Sequence, residues 1–239
     1  MDYLIIILGC ALGSGLNMVC GFGFGVVCMI CLPAVMGSAT GPTALINILT
    51  LFQSAYLTWC YRQHVRWRML VAPLIAYFCT SLPAVRLAVV LDTGVMEKLL
   101  GAFLLALSIY FIFIAKNVRM KANTRNGLIA GGAGGVMSGM FAVGGPPPGL
   151  YFSATTEKKE EYLATIQAYY MLSSVYVVAL RVVNGIVTPY VFGCTAVGGA
   201  GLVLGILLGG TIFKRVKVDF IRSAMYCMMA VSGVVMLLT

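Results

Sequence analysis

In the stretch Gly144-Gly145-Pro146-Pro147-Pro148-Gly149, three prolines interrupt an apolar segment that runs from residue 127 to residue 156. Proline lacks a backbone N–H and clashes with the preceding helical turn, so three in a row cannot continue a helix. The piece that follows, residues 150–156, would reach only about 10 Å even as a helix. That is too short to cross a bilayer. The segment is therefore predicted to be a re-entrant hairpin or a discontinuous helix.

A corresponding break, Gly21-Phe22-Gly23-Phe24-Gly25, lies in the apolar segment 3–37 of the first half. The two breaks align without a gap, and the matched pairs are Ser14 with Ser138, Gly21 with Gly145, and Gly25 with Gly149. Downstream, Asn47 falls near Gln167 in the helix that follows each break. This self-similarity predicts an internal duplication of about half the chain.

The composition is that of a membrane protein. Hydrophobic residues make up 61% of the chain and charged residues only 10%, which is too few to cover the surface of a soluble domain. Apolar runs long enough to cross the hydrocarbon layer as helices recur in both halves. They are residues 43–60, 69–91, 97–115, 162–182, 190–212 and 220–238.

The positive charge of the chain is concentrated in three loops, residues 62–68, 116–125 and 214–222. Cytoplasmic loops carry excess Lys and Arg, which explains the net charge of +9 without nucleic-acid binding. All three loops fall on one face if each half contributes one hairpin that returns to its own side and three crossings. We therefore predict an all-α polytopic membrane protein with the N-terminus outside. It has two inverted transmembrane repeats, residues 1–119 and 120–239, each a broken hairpin followed by three helices.

Paired Gly/Pro-interrupted segments in corresponding positions are the best sequence indication of a transporter binding site. Irregular backbone inside a bilayer is tolerated where it lines a cavity, and a helix N-terminus there can direct N–H groups at an anion. The alternatives are that the glycines only allow close helix packing and that the polar residues only bond neighbouring helices. The predicted substrate-binding residues are Gly21, Phe22, Gly23, Asn47, Gly144, Gly145, Pro146, Gly149, Gln167 and Tyr170.

The polar residues favour an anionic substrate over a cation. Asp92 and Glu97 lie in a short outer loop, and the interior of the predicted spans contains no Asp or Glu, whereas metal-cation transporters normally bury carboxylates. The only histidine, His64, lies in a basic loop, and no nucleophile, base or metal cluster indicates an enzyme. No metal or other cofactor is expected. Arg86 and Arg181 lie near the outer ends of their spans, where they either snorkel to the interface or form an electropositive vestibule.

Residues 127–147, from Gly127 through the Ser138-Gly139 pair to Gly144-Gly145-Pro146-Pro147, resemble the second-repeat signature of the TauE/SafE family of sulfite and sulfonate exporters. The first half is similar to the opening repeat of that family in Ser14-Gly15-Leu16, the run from Gly21 to Gly25, Pro33 and the basic loop 62–68. The resemblance covers essentially the whole chain.

The resemblance implies a multi-pass transporter in the inner membrane of a prokaryote. Its partners would be the lipid bilayer and a small anion such as sulfite, sulfoacetate or another sulfonate, moved by alternating access at a site between the two breaks. A homo-oligomer is possible. The direction of transport and the coupling ion stay open, and a passive anion channel of the same fold is the alternative.

Overall fold

The structure is a computed structural model that describes residues 2–38, 40–110 and 123–212, together with residues 230, 231, 234 and 237. Every regular element within these residues is helical. The helices are α1 Asp2–Cys20, α2 Phe24–Met36, α3 Thr40–Cys60, α4 Trp67–Val90, α5 Thr93–Ile109, α6 Thr124–Phe141, α7 Pro146–Thr155, α8 Lys159–Val183 and α9 Pro189–Ile212, with a short 3-10 turn at Arg62–His64.

Both predicted breaks are present. The chain leaves α1 through Gly21 and Gly23, whose φ angles of 77° and 115° are available to glycine at little cost. The second break begins at Ala142, a residue with a φ of 55° that ends α6. The three prolines do not simply stop a helix. They form the first turn of α7, where a missing N–H costs no intrahelical bond.

Three helices are long and apolar enough to cross a membrane, and they are α4, α8 and the Pro189–Leu208 part of α9. Large apolar side chains, including Phe52, Val71, Ile75 and Leu207, are exposed on the outside of the helices, as expected of a protein solvated by lipid. Helix α3, a predicted span, has 21 residues but is not among these three. Its polar side chains, such as Asn47 and Gln53, are buried inside the protein.

Two parallel helix pairs hold the bundle together through glycine. In one pair, a Cβ at Gly131 or Gly135 of α6 would overlap the main chain of Pro73 or Tyr77 of α4. In the other pair, Gly201 and Gly205 of α9 stand in the same relation to the main chain of α1. Small residues let helix backbones approach this closely, which lipid-solvated bundles use in place of a hydrophobic driving force.

Helices α3 and α8 form the centre of the bundle and run in opposite directions. The end of α3 leads to Arg66, whose N–H donates to Thr165 Oγ1 in the second turn of α8 (3.1 Å). At the opposite end, Gly41 near the start of α3 contacts Val191 at the start of α9. Each broken hairpin packs beside this central pair, so the two breaks meet in the interior. The predicted span 220–238 and the basic loop 214–222 lie outside the described residues, except for single residues of the former, and the basic loop 116–125 is described only from residue 123.

Candidate functional site

A cavity of about 50 Å³ lies where the two breaks meet. One water molecule needs roughly 10–15 Å³ on the same measure, so the cavity admits more than a single water. Both breaks, α3, α4 and α8 contribute to its wall. The lining residues are Asn17, Phe22, Gly23, Phe24, Gly25, Val26, Asn47, Thr50, Tyr77, Ser138, Ala142, Val143, Gly144, Gly145, Pro146, Tyr169, Tyr170, Ser173 and Ser174.

The cavity brings together most of the predicted substrate-binding residues. Those that line it are Phe22, Gly23, Asn47, Gly144, Gly145, Pro146 and Tyr170. The closest approach of the two breaks is between Gly25 and Ala142, because a Cβ at Gly25 would overlap the carbonyl group of Ala142. Asn47 donates from Nδ2 to the Thr43 carbonyl oxygen (2.9 Å), which holds the amide against its own helix.

Three of the predicted residues lie beside the cavity rather than in its wall. Gly21 and Gly149 pack around the ring of Tyr162, where an added Cβ would lie 2.8 Å from Cε1 and 3.5 Å from the hydroxyl respectively. The Tyr162 hydroxyl donates to the Cys20 carbonyl oxygen (3.0 Å). Gln167 is 1% exposed and donates to Asn17 Oδ1 (3.4 Å). It therefore supports a lining residue rather than lining the cavity itself.

Two tyrosine hydroxyls at the cavity are buried without a hydrogen-bond partner among the described residues, those of Tyr169 and Tyr170. Leaving such a group unpaired costs about 1–3 kcal/mol, which a bound acceptor would remove. The hydroxyl of a third tyrosine, Tyr77, already has a hydrogen-bond partner, since it lies 2.7 Å from Ser138 Oγ. The cavity thus offers two O–H donors that no protein group uses.

At the first break, a helix N-terminus presents main-chain donors to the cavity. Helix α2 makes its first intrahelical bond from Val27 N to the Gly23 carbonyl oxygen (3.0 Å). The N–H groups of Phe24, Gly25 and Val26 precede that bond, and all three residues line the cavity. Helix α7 begins with three prolines, which have no N–H to offer. The N-terminus of α2, unlike that of α7, can therefore direct the N–H groups of its first turn at an anion.

Several lining residues were not predicted from the sequence, among them Asn17, Tyr77, Ser138, Tyr169, Ser173 and Ser174. Helical spacing is the pattern that identifies part of this set. Tyr169 and Ser173 are four residues apart on α8, as are Tyr170 and Ser174. The two members of each pair therefore lie on the same face of that helix. Tyr77 follows no such pattern, because it reaches the cavity through the packing of α4 on α6 and α8, where its ring contacts that of Tyr169.

Arg86 and Arg181 were predicted to form an outer vestibule, and the structure separates them. Arg86 is exposed on α4. Arg181 is fully buried, and its Nη2 donates to the carbonyl oxygens of Ser138 (3.1 Å) and Gly139 (2.9 Å) in the last turn of α6. Arg181 lies near the end of a predicted span, but the packing of α8 against the end of α6 places its side chain in the interior. Arg181 therefore does not snorkel to the membrane surface, and the vestibule role of the two arginines stays a prediction.

None of the described residues that line the cavity carries a charged side chain. Within the described part of the chain, no group of three or more His, Cys, Asp or Glu residues is placed to hold a metal ion. The cavity therefore presents hydroxyl, amide and main-chain donors against aromatic walls. Such a set can bind a small oxyanion through hydrogen bonds.

Comparison with known proteins agrees with this geometry. Residues 5–236 match the sequence profile of the family described as "Sulfite exporter TauE/SafE". The chain is also 28% identical over 142 residues to the "probable sulfite/organosulfonate exporter TauE" of Cupriavidus necator. That match covers 56% of this chain and 54% of the relative, so the chain spans about half the length of the relative it matches. No solved structure matches. The family consists of membrane exporters rather than enzymes, and this chain belongs to the TauE/SafE sulfite exporter family.

Proposed function

We propose that the protein transports a small oxyanion, sulfite or an organosulfonate, across the prokaryotic inner membrane by alternating access at the central cavity. The observation that carries this proposal is the set of unused donors in the cavity wall. The hydroxyls of Tyr169 and Tyr170 and the N-terminus of α2 all face a space with no carboxylate in its lining. The family match and the name of the Cupriavidus relative support the same class of substrate.

We further propose two inverted repeats, residues 1–119 and 120–239, in a multi-pass arrangement. The described residues support this with a reciprocal packing pattern. The first helix of each broken hairpin, α1 or α6, packs in parallel on the second crossing helix of the other half, α9 or α4. Helices α3 and α8, the first crossings of each half, run antiparallel to each other, as an inverted repeat requires. The exposed basic turn at residues 62–64 then lies on the cytoplasmic side.

The proposed transport cycle needs a passage that closes on one side of the cavity. At the end where α8 begins, the Tyr162 ring fills the space between Gly21 and Gly149. Arg66 bridges the two halves there, with its Nη2 2.8 Å from Glu161 Oε1 and its main-chain N–H bonded to Thr165. At the opposite end, a second cavity of about 360 Å³ lies among the start of α3, the end of α4 and the loop before α9. We assign the Tyr162 end as the closed gate.

Cross-linking this gate is expected to stop transport. In the doubly substituted Arg66→Cys/Thr165→Cys protein, a disulfide would hold the start of α4 on α8, as the hydrogen bond between these residues does. We expect oxidation to lower flux in proteoliposomes at least about tenfold and reduction to restore it, since closed gates open on each transport cycle. Exposed Cys60 and Cys79 are replaced by serine first, so that they form no other disulfide. Each single cysteine variant serves as the control.

The same proteoliposomes separate the carrier from a passive anion channel. With excess unlabelled sulfite inside and the membrane potential held at zero by valinomycin and equal K+ on both sides, a carrier accumulates labelled sulfite transiently above equilibrium, because it exchanges one anion for another. A channel only lets the label equilibrate. Accumulation that never exceeds equilibrium in the reduced protein would support the channel. Undiminished flux in the fully cross-linked protein would show that the Tyr162 end is not a gate.

Tyr170→Phe is expected to weaken anion binding without weakening the fold. The hydroxyl has no partner among the residues that the structure describes, so its removal costs no internal bond there. A hydrogen bond to a charged group is worth about 1.5–3 kcal/mol, which corresponds to a loss of affinity of roughly 10- to 100-fold. Titration calorimetry with sulfite and methanesulfonate measures the affinity, and thermal unfolding in detergent measures the fold.

Tyr176→Phe is the matched control, because Tyr176 lies on the same helix, does not line the cavity and bonds the Phe78 carbonyl oxygen (3.4 Å). It should bind anions as the parental protein does. An unchanged affinity in Tyr170→Phe would show that this hydroxyl does not bind the anion. A parental protein that binds neither sulfite nor any sulfonate would contradict the proposed function as a whole.

A further inference from the structure

Arg181 is the one charged side chain that is fully buried in the described part of the chain. Its Nη2 is bonded to two carbonyl oxygens, but Nε and Nη1 have no partner among the described residues. The only ion pair in the same residues joins Arg66 to Glu161 at the gate. Among the described residues the buried Arg181 charge therefore has no counter-charge, which is costly for the folded protein.

The corresponding position in the first half shows that capping the broken helix does not require a charge. Ser14 of α1 and Ser138 of α6 are the matched serines of the two broken helices. Gln53 of α3 donates from Nε2 to the Ser14 carbonyl oxygen (3.0 Å), as Arg181 of α8 donates to that of Ser138. A neutral amide thus does in one half what a guanidinium does in the other.

The two capping side chains differ in how completely they are paired. Both ends of the Gln53 amide are bonded, since Asn17 Nδ2 donates to Oε1 (3.1 Å) and Nε2 also reaches Ser14 Oγ (3.1 Å). Arg181 keeps three N–H donors and a full charge in excess of what the cap uses. The excess is located beside the cavity, because Ser138 accepts from Arg181 through its carbonyl oxygen and also lines the cavity.

We propose that Arg181 is a specificity-determining residue whose uncompensated charge is balanced by the transported anion and favours dianions over monoanions. This rests on the proposed function of the cavity. Arg181 acts through the Ser138 end of α6 rather than by touching the anion. The chemical class it selects is a small compound with two negative charges, such as a sulfonate that also carries a carboxylate.

The test is Arg181→Gln, which places at this position the neutral amide that caps the other half and removes the charge together with the three unpaired N–H donors. Binding of methanesulfonate, with one negative charge, and sulfoacetate, with two at neutral pH, is measured by titration calorimetry on the full chain in detergent. Coulomb energy is proportional to the product of the charges, so the fold-loss for the dianion is the square of that for the monoanion. We expect losses of about 10-fold and about 100-fold respectively.

A structural role for Arg181 would lower both affinities by the same factor or by none, and either result would overturn the proposal. We also expect the ligand-free variant to be at least as heat-stable as the parent, because an unpaired buried charge is lost. A variant that does not fold would show that the protein needs the Arg181 charge for folding, and this would overturn the proposal as well. Arg125→Gln, at an exposed arginine at the start of α6, should leave the ratio of the two affinities unchanged. Failure of the parent to bind either probe would instead refute the proposed function.

Discussion

Gly145→Val is expected to abolish anion binding and transport while leaving a folded, membrane-inserted protein. Gly145 has helical angles, φ −73° and ψ −43°, so valine is sterically allowed by the backbone. Its Cβ would lie 2.7 Å from the Tyr170 hydroxyl and 2.9 Å from Phe22 Cβ. Making room displaces the hydroxyl that we propose to bind the anion. We expect an affinity loss of about 100-fold or more and a stability cost of about 1–3 kcal/mol.

The measurement is flux normalised to folded protein, with monodispersity in detergent as the measure of folding. Gly193→Val in α9 is the control, since a Cβ there meets nothing within 4 Å. A well-folded Gly145→Val protein that transports at the parental rate would contradict the central site. Gly21 is a poorer test position. Its φ of 77° makes any side chain strained, so lost activity there would not separate binding from folding.

Gly131→Ala is expected to have the largest effect on stability. A Cβ at this position would overlap the main chain of Pro73, and neither backbone can move without separating α4 from α6. We expect a loss of about 3 kcal/mol or more, which in a marginally stable protein removes most of the folded material. Thermal unfolding in detergent and the yield of monodisperse protein measure this.

The adjacent Gly132→Ala is the matched control. Its Cβ would meet Thr80 Cγ2 at 3.7 Å and Ala76 Cβ at 3.9 Å, both ordinary contacts, and alanine favours helix over glycine by up to about 1 kcal/mol. It should be neutral or stabilising. The second half of the proposed repeat gives an independent comparison, because a Cβ at Gly201 of α9 overlaps the main chain of Ile7 and one at Gly199 meets nothing. Equal stability of the two variants in either pair would show that these glycines do not set the helix contact.

The sequence by itself determined the helical class, the positions of both breaks and the family. These follow from properties that are local in the chain. Consecutive prolines interrupt a helix wherever they occur, and a chain with 61% hydrophobic residues has too few charges for water. The aligned Ser and Gly positions also located the two segments that meet in the interior. Seven of the ten predicted binding residues line the cavity for this reason.

Only the tertiary structure decided which side chains face the cavity and which support it. Gln167 and Asn47 occupy similar places after the breaks, yet one bonds Asn17 and the other lines the wall. Rotation of a helix about its axis is set by packing on its neighbours, which spacing along the chain does not contain. The same holds for Arg181. Its position near the end of α8 predicted that Arg181 lies at the membrane surface. The contact between α8 and the end of α6 instead places its charge in the interior.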